Sequence, residues 1–256
     1  MKFLLVPLRI VYCLYAFTLF IFLMLCVTPV VLVASFFGKI KGGNFIYKVC
    51  SLWADIWYMF IGIYHKNIYE TPYNKNSQYI FVANHISYLD APVIVKSIRQ
   101  SVRVLGKVEF SNVPVFGYIY KNAIVTVDRS SAANRGNSVK ILKSVLKRKI
   151  SIFLFPEGTF NETGYPLKNF YDGAFRMAIE TQTPIKPLLF LNAYDRMHYS
   201  SVFSLNPGIS KTIFLEEIPV TGLTYKDVAA LKQKVYDAME AKLIEYKAGW
   251  IKYTRS

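Results

Sequence analysis

Cysteine is scarce in this chain, and acid is scarcer than base. The three cysteines, Cys13, Cys26 and Cys50, lie in or near an apolar N-terminal region, and none has a partner at metal-ligand spacing. They read as small buried or lipid-facing hydrophobes, which excludes a disulfide framework and a cysteine-bound metal. That usage suits a reducing compartment and a catalytic domain facing the cytoplasm. No GxSxG elbow is present and the cysteines sit in the apolar N-terminal region, so a covalent intermediate on serine or cysteine is not expected. No nicotinamide motif or metal cluster is visible, and the reading needs no cofactor or metal. Acidic residues number 16 against 31 basic ones, for a formal charge of +15. Such a chain is drawn to polyanions. It lacks zinc-finger spacing and an RNA-binding aromatic motif, so the expected polyanion is an anionic membrane surface and not nucleic acid.

Charge is missing altogether from Ile10 to Phe37. At ~1.5 Å per residue that run is long enough to cross a ~30 Å hydrocarbon core with tilt. It is too long for a signal peptide, and no small-x-small cleavage site follows it. Pro29 removes a backbone donor and is expected to kink or end the helix near Val27. After Gly42-Gly43 a second helical segment is predicted from about Phe45 to Tyr64. Its Lys48, Ser51 and Asp55 form one narrow polar stripe, and Trp53 and Trp57 sit one turn apart, as suits the headgroup level. Two arrangements fit: a tilted spanning helix followed by an interfacial one, or a bent helical pair embedded in one leaflet.

The remainder has no repeat and no low-complexity stretch. Short apolar runs at Tyr79 to Val82, Val102 to Leu105, Ile124 to Val127, Ile150 to Phe155, Ile185 to Leu191 and Thr212 to Leu215 predict strands. Helices are predicted over Pro92 to Ile98, Pro114 to Tyr120, Ser138 to Lys149, Tyr171 to Thr181 and Lys226 to Tyr246. This alternation predicts an α/β domain with a central mixed sheet flanked by helices. The expected division is 1–64 for the N-terminal membrane helices and 65–256 for the α/β domain.

Chemistry concentrates in a few places. Asn84-His85-Ile86-Ser87-Tyr88-Leu89-Asp90 joins a predicted buried strand to a helix. A turn between His85 and Asp90 lets the carboxylate hold one ring nitrogen, leaving the other to accept a proton. Phe155-Pro156-Glu157-Gly158-Thr159 follows another buried strand, and a carboxylate beside a glycine in a loop can bind a polar headgroup. Thr163-Gly164 and Lys168 continue that polar loop. Lys107, Pro114 and Gly117 lead to a strand ending in Asp128-Arg129, where a guanidinium is suited to bidentate phosphate binding. Thr183-Pro184-Ile185-Lys186-Pro187-Leu188 begins a further strand.

In this order and at these spacings the four blocks resemble the 1-acylglycerol-3-phosphate acyltransferases, within the wider glycerolipid acyltransferases, over roughly Val82 to Leu188. The NHxSxxD-type block, with its HX4D core, followed some seventy residues later by FPEGT is highly specific. The resemblance implies a glycerol-3-phosphate acyltransferase-like fold, with His85 as general base and Asp90 as its orienting partner. It implies that Glu157 and Gly158, with Thr159 in the same loop, bind the acceptor near its phosphate. Lys107 and Arg129 belong to the block that meets that phosphate, and Pro184 to a block that helps form the acyl-donor site. Two departures stand out. The third block usually reads FPEGTRS, and here Phe160 and Asn161 replace Arg and Ser, removing one candidate phosphate or donor contact. The fourth reads PIKPLL where a more apolar run is usual.

The implied reaction moves an acyl chain from acyl-CoA or acyl-carrier protein to the sn-2 hydroxyl of lysophosphatidic acid, at a membrane, for phospholipid biosynthesis. Rival readings are an acyltransferase for another lyso-lipid, such as a lyso-aminolipid or a lysophospholipid undergoing remodelling, and a catalytically silent membrane scaffold.

Overall fold

The computed structural model describes residues 2–127 and 132–254. The charge-free N-terminus forms one long helix, α1 (Lys2–Ser35), which runs through Pro29 without a break at Val27. Proline removes one donor from the ladder, and the helix tolerates this because the remaining turns are packed on a neighbour. That neighbour is α2 (Gly43–Phe60), reached through a five-residue π-helical turn, Gly38–Gly42. The two helices run antiparallel. Trp57 Nε1–H donates to the Ala16 carbonyl (2.9 Å), and Tyr12 O–H donates to the Ile61 carbonyl (2.6 Å).

The sheet begins earlier than the sequence pattern implies. Helix α2 stops at Phe60, Gly62 takes a left-handed φ of +68°, and β1 (Ile63–Tyr69) follows at once. Strand β1 thus starts two residues before the division expected after residue 64. Next come β2 (Ile80–Ala83), α3 (Asp90–Ser97), β3 (Val102–Lys107), a 3-10 turn (Val108–Asn112), α4 (Phe116–Ala123) and β4 (Val125–Val127). The chain continues with α5 (Ala132–Leu146), β5 (Ser151–Leu154), α6 (Gly173–Thr181), β6 (Ile185–Leu191), α7 (Ala193–Arg196), β7 (Gly208–Phe214) and α8 (Val228–Glu245). Among the described residues seven strands form one sheet in the order β1-β7-β6-β2-β5-β3-β4. Only β6 and β7 pair antiparallel, so the sheet is mixed, as expected. The central strands β2, β5 and β6 are buried along their whole length, in keeping with their near-continuous apolar sequences. Helices α5, α6 and α8 cover one face, and α3 with the α1–α2 hairpin covers the other.

Two residues of the α2 polar stripe face protein, while Lys48 is exposed. Ser51 is buried, and Asp55 takes ion pairs from Lys96 (2.6 Å) and Arg99 (2.7 Å) around the C-terminal end of α3. Trp57 is 2 % exposed and clamps α1, so it is no headgroup anchor. A buried guanidinium fixes the other end of α2. Arg103 on β3 donates to the carbonyls of Lys39 (2.9 Å) and Ile40 (3.2 Å) and to Asn44 Oδ1 (2.8 Å). Two glycines make this approach possible. A Cβ on Gly43 would lie 2.6 Å from Arg103 Nη2, and one on Gly42 would lie 2.1 Å from the Ala34 carbonyl oxygen.

Arg103→Leu leaves these buried carbonyls without a donor and should cost about 2–5 kcal/mol. Gly42→Ala should separate α1 from α2. Thermal unfolding in detergent, with limited proteolysis around residues 36–45, tests both. Unchanged melting and no new cleavage in either variant would contradict the clasp.

Candidate active site

The site arises from the pairing register of β2 and β5. These strands are parallel neighbours with Val82 opposite Leu154, so their C-terminal ends deliver two loops side by side. The first carries His85 and the second Glu157. Ligands of open α/β sheets gather at this edge of the strands.

Each polar residue of the first loop has a separate task. The Asn84 side chain pairs with β6 in both directions. Its Nδ2 donates to the Phe190 carbonyl (3.2 Å) and its Oδ1 accepts from Phe190 N–H (2.8 Å). Ser87 O–H donates to the Met197 carbonyl (2.6 Å). Asp90 is the first residue of α3, fully buried, where the helix dipole favours negative charge. Its Oδ2 accepts from the backbone N–H groups of Ile86 (2.7 Å) and Ser87 (2.9 Å) and from His85 Nδ1 (2.8 Å). Three donors on one oxygen fix the carboxylate, and the carboxylate fixes the imidazole. His85 Nε2 has no hydrogen-bond partner among the described residues, and the side chain stays 23 % exposed. The ring lies flat on Phe155, with centroids 3.9 Å apart and planes at 8°. Phe160 meets it edge-on at 4.4 Å.

The second loop grips the backbone of His85. Glu157 Oε1 accepts His85 N–H (2.9 Å), and Asn161 N–H donates to the His85 carbonyl (2.8 Å). Glu157 Oε2 accepts Lys168 N–H (2.9 Å). With both oxygens engaged inward and 1 % exposure, Glu157 is a strut between loops and presents no oxygen to an acceptor. Burial pushes its carboxyl up to about 8, while the two N–H donors pull the other way. Gly158 supplies the left-handed turn, at φ +74°. Asn161 closes the loop: its Nδ2 donates to the Tyr165 carbonyl (2.9 Å), and its Oδ1 accepts from Thr163 N–H (3.1 Å). The Asn161 departure thus has a structural use, and Phe160 lines the base.

The remaining sequence candidates fall in different places. Lys107 ends β3, exposed, on the same sheet edge as His85 and two strands away, or about 10 Å. Thr159 is exposed in the second loop. Arg129 lies outside the described residues. Pro184 sits at the opposite end of the sheet, where its carbonyl accepts Ile80 N–H (3.0 Å), about 16 Å of strand from His85. This structure therefore gives Pro184 no contact with the reacting end. The fourth-block lysine, Lys186, is buried in β6, with its ammonium 3.4 Å from Thr71 Oγ1 and over the Tyr73 ring. Asn84, Ser87, Phe155 and Asn161 are positioning residues to which sequence reading gives no role. The first three stand inside the recognised blocks, and Asn161 stands out only as a departure. The other two histidines are poor alternatives. His65 is held by Ser210 and Asn67, and burial lowers its ring to about 4. His198 bonds Ser200 and Tyr194.

Comparison with known proteins agrees with this geometry. Residues 65–191 match the family model described as Acyltransferase. An uncharacterised acyltransferase of Schizosaccharomyces pombe is 29% identical over 177 residues, covering 67% of this chain and 62% of that protein. The 1-acyl-sn-glycerol-3-phosphate acyltransferase of Salmonella typhimurium is 28% identical over 168 residues, covering 65% of this chain and 67% of that one. The match thus spans less than two thirds of the yeast relative's length. The crystal structure of the 1-acyl-sn-glycerophosphate (LPA) acyltransferase from Thermotoga maritima superposes with a TM-score of 0.73 at 20% identity, covering 98% of this chain and 100% of that one. That likeness extends the shared fold through the helical hairpin. Through residues 65–191, the chain belongs to the acyltransferase family.

Proposed function

We propose that this protein transfers an acyl chain from a thioester, acyl-CoA or acyl-carrier protein, to the sn-2 hydroxyl of lysophosphatidic acid. The observation that carries the reading is the His85–Asp90 pair at 2.8 Å, with Nε2 open at the sheet edge. The acceptor O–H gives its proton to Nε2 as its oxygen attacks the thioester carbonyl. Asp90, already aligned on Nδ1, stabilises the imidazolium that forms. The tetrahedral intermediate collapses by breaking the C–S bond, and the imidazolium returns the proton to the departing thiolate. A phosphate-bearing acceptor is favoured by Lys107 on the same edge and by the positive charge of the chain.

One observation favours a second reading. Phe160 lies edge-on to Tyr88 at 5.0 Å and near Tyr199 at 6.5 Å, so aromatic rings surround the base where the family has a guanidinium. Aromatic faces suit an ammonium headgroup, hence a lyso-aminolipid. Competition between equal amounts of lysophosphatidic acid and lyso-aminolipid separates the two. Preferred acylation of the aminolipid would move the enzyme to the rival class.

The same proposal places α1 and α2 in one leaflet, with the catalytic domain on the cytoplasmic side. Leu8, Val11, Phe22, Val33 and Phe36 of the α1 segment and Leu52, Met59 and Phe60 of α2 are exposed and apolar. Yet α1 touches the domain at both ends. Cys13 Sγ lies 3.6 Å from the Leu205 carbonyl, and Ser35 Oγ lies 2.7 Å from Tyr118 O–H. Those points are about 33 Å apart along the helix, a full hydrocarbon thickness. A helix that lies along its domain over that length cannot cross the bilayer unless the domain enters it. With the native cysteines replaced, Arg9→Cys and Lys39→Cys should both be labelled by an impermeant thiol reagent from the same side. Labelling from opposite sides would establish a spanning helix.

His85→Ala should lower acyl transfer by ~10²–10⁴-fold with the fold intact. Asp90→Asn should cost at least ~10-fold and move the acidic limb of kcat/KM to lower pH. Activity within a few-fold of the parent, or an unmoved limb, would remove the pair from the mechanism.

Glu157 gives a pH prediction. Its folded value, about 8, is raised from 4.5. The folded state therefore holds this proton more tightly than the unfolded chain. The stability it contributes is complete below about pH 4.5 and is lost as pH rises through about 8. Melting temperature should fall between pH 6 and pH 9 by roughly 5 °C, and Glu157→Gln should flatten that slope while reducing activity. An equal slope in parent and variant would show that Glu157 does not titrate there.

A further inference from the structure

The third block has phenylalanine where the resemblance expects arginine, and a cation approaches that residue from elsewhere in the loop. Phe160 turns its ring onto His85, and its backbone carbonyl faces Lys168. Lys168, eight residues on, brings its ammonium against that carbonyl. Nζ donates to Thr159 Oγ1 (2.7 Å) and lies 3.4 Å from the Phe160 carbonyl oxygen. We propose that Lys168 is the specificity-determining cation that binds the acceptor's phosphate, in place of the arginine the family carries at position 160. This rests on the reading of the acceptor as a phosphate-bearing lysolipid.

Three features support the assignment. First, Lys168 is held in fixed relation to the base. Its backbone N–H and that of His85 bond opposite oxygens of the single buried Glu157 carboxylate. A headgroup bound at Lys168 is thereby referenced to the imidazole through one rigid group. Second, the ammonium is available. It has no ion-pair partner among the described residues, and two acceptors leave one of its three donors for a ligand. The Thr159 hydroxyl, accepting from Lys168, keeps its own proton to donate. Third, open space adjoins Lys168, in a cavity of about 340 Å³ lined also by Thr163, Tyr165 and Tyr171.

A purely structural lysine would tie Thr159 to the loop and affect all substrates alike, so the test compares acceptors. Lys168→Gln is assayed in the full-length detergent-solubilised protein with lysophosphatidic acid and with 1-monoacylglycerol, which keeps the sn-2 hydroxyl and carries a free sn-3 hydroxyl in place of the phosphate. The expected result is a rise in KM for lysophosphatidic acid of roughly 10-fold or more, a smaller change in kcat, and a much smaller effect on monoacylglycerol. Phe160→Arg added to Lys168→Gln should recover most of the lost KM, because it restores a cation at the position the family uses. Equal changes on both acceptors, or an unchanged KM for lysophosphatidic acid, would overturn the role of Lys168 and leave the function standing. A parent enzyme that does not acylate lysophosphatidic acid at all would overturn the function, and Lys168's role with it.

Discussion

A single buried carboxylate holds this site together. Glu157 takes one backbone N–H from the loop after β2 and another from its own loop, and it is sealed from water. An acid with 1 % exposure is costly unless its oxygens are satisfied. The two N–H groups satisfy them, and in doing so they lock the position of His85. Without this link the register of β2 and β5 would bring the loops close but not set the height of the imidazole. Asn161 completes the grip by holding the His85 carbonyl. His85 is thus fixed at its backbone by one loop and at its ring by Asp90, two constraints from different segments. Such double fixing is what proton transfer within hydrogen-bond reach requires.

The hairpin and the site share a support. Helix α3 supplies Asp90 at its N-terminus, and its last turn is bound to α2 through the Lys96–Asp55 pair. Tyr47 of α2 donates to the Ile98 carbonyl at 2.9 Å, just past the end of α3. Removing the hairpin would take away Trp57 and Tyr58 and uncover the apolar residues of α3 packed with them. The hairpin is therefore part of the core of the α/β domain, and this explains the long stretch over which α1 follows it.

Much of this was legible in the sequence, for physical reasons that also explain the exceptions. The central strands were visible because burial on both faces demands continuous apolar runs, and β6 spans the residues the pattern predicts. His85 and Asp90 were visible because a base needs a partner within reach, and a five-residue turn provides it. Strand β1 was hidden because Ile63 and Tyr64 continue the apolar run of α2, and Gly62 marks the change only through its backbone. Trp57 reads as an interfacial residue because its indole N–H needs an acceptor. The acceptor is a carbonyl of α1, forty-one residues away, which no local pattern shows. Glu157 reads as a ligand-facing acid because a loop carboxylate usually is one. Its burial depends on the neighbouring strand, which belongs to a different part of the chain.

The edge of the sheet explains how a lipid acceptor can reach a base that stands outside the hairpin. Lys107 ends β3, and the turn that follows exposes Phe110, with Val113 exposed just beyond it. Helix α4 joins this turn to α1 and α2. The apolar surface of the hairpin is therefore continued by Phe110 and Val113 toward the strand ends, with Lys107 between them and His85. An amphiphile moving along this surface would keep its acyl chain against apolar residues while its head group met cations first and the imidazole second. This order suits an acceptor that is anchored by its phosphate and attacks through its hydroxyl. On the proposal for Lys168, a cation absent from one position of the second loop is supplied from another. The requirement is for positive charge at a fixed height above the sheet, and Glu157 sets that height for Lys168 as it does for His85.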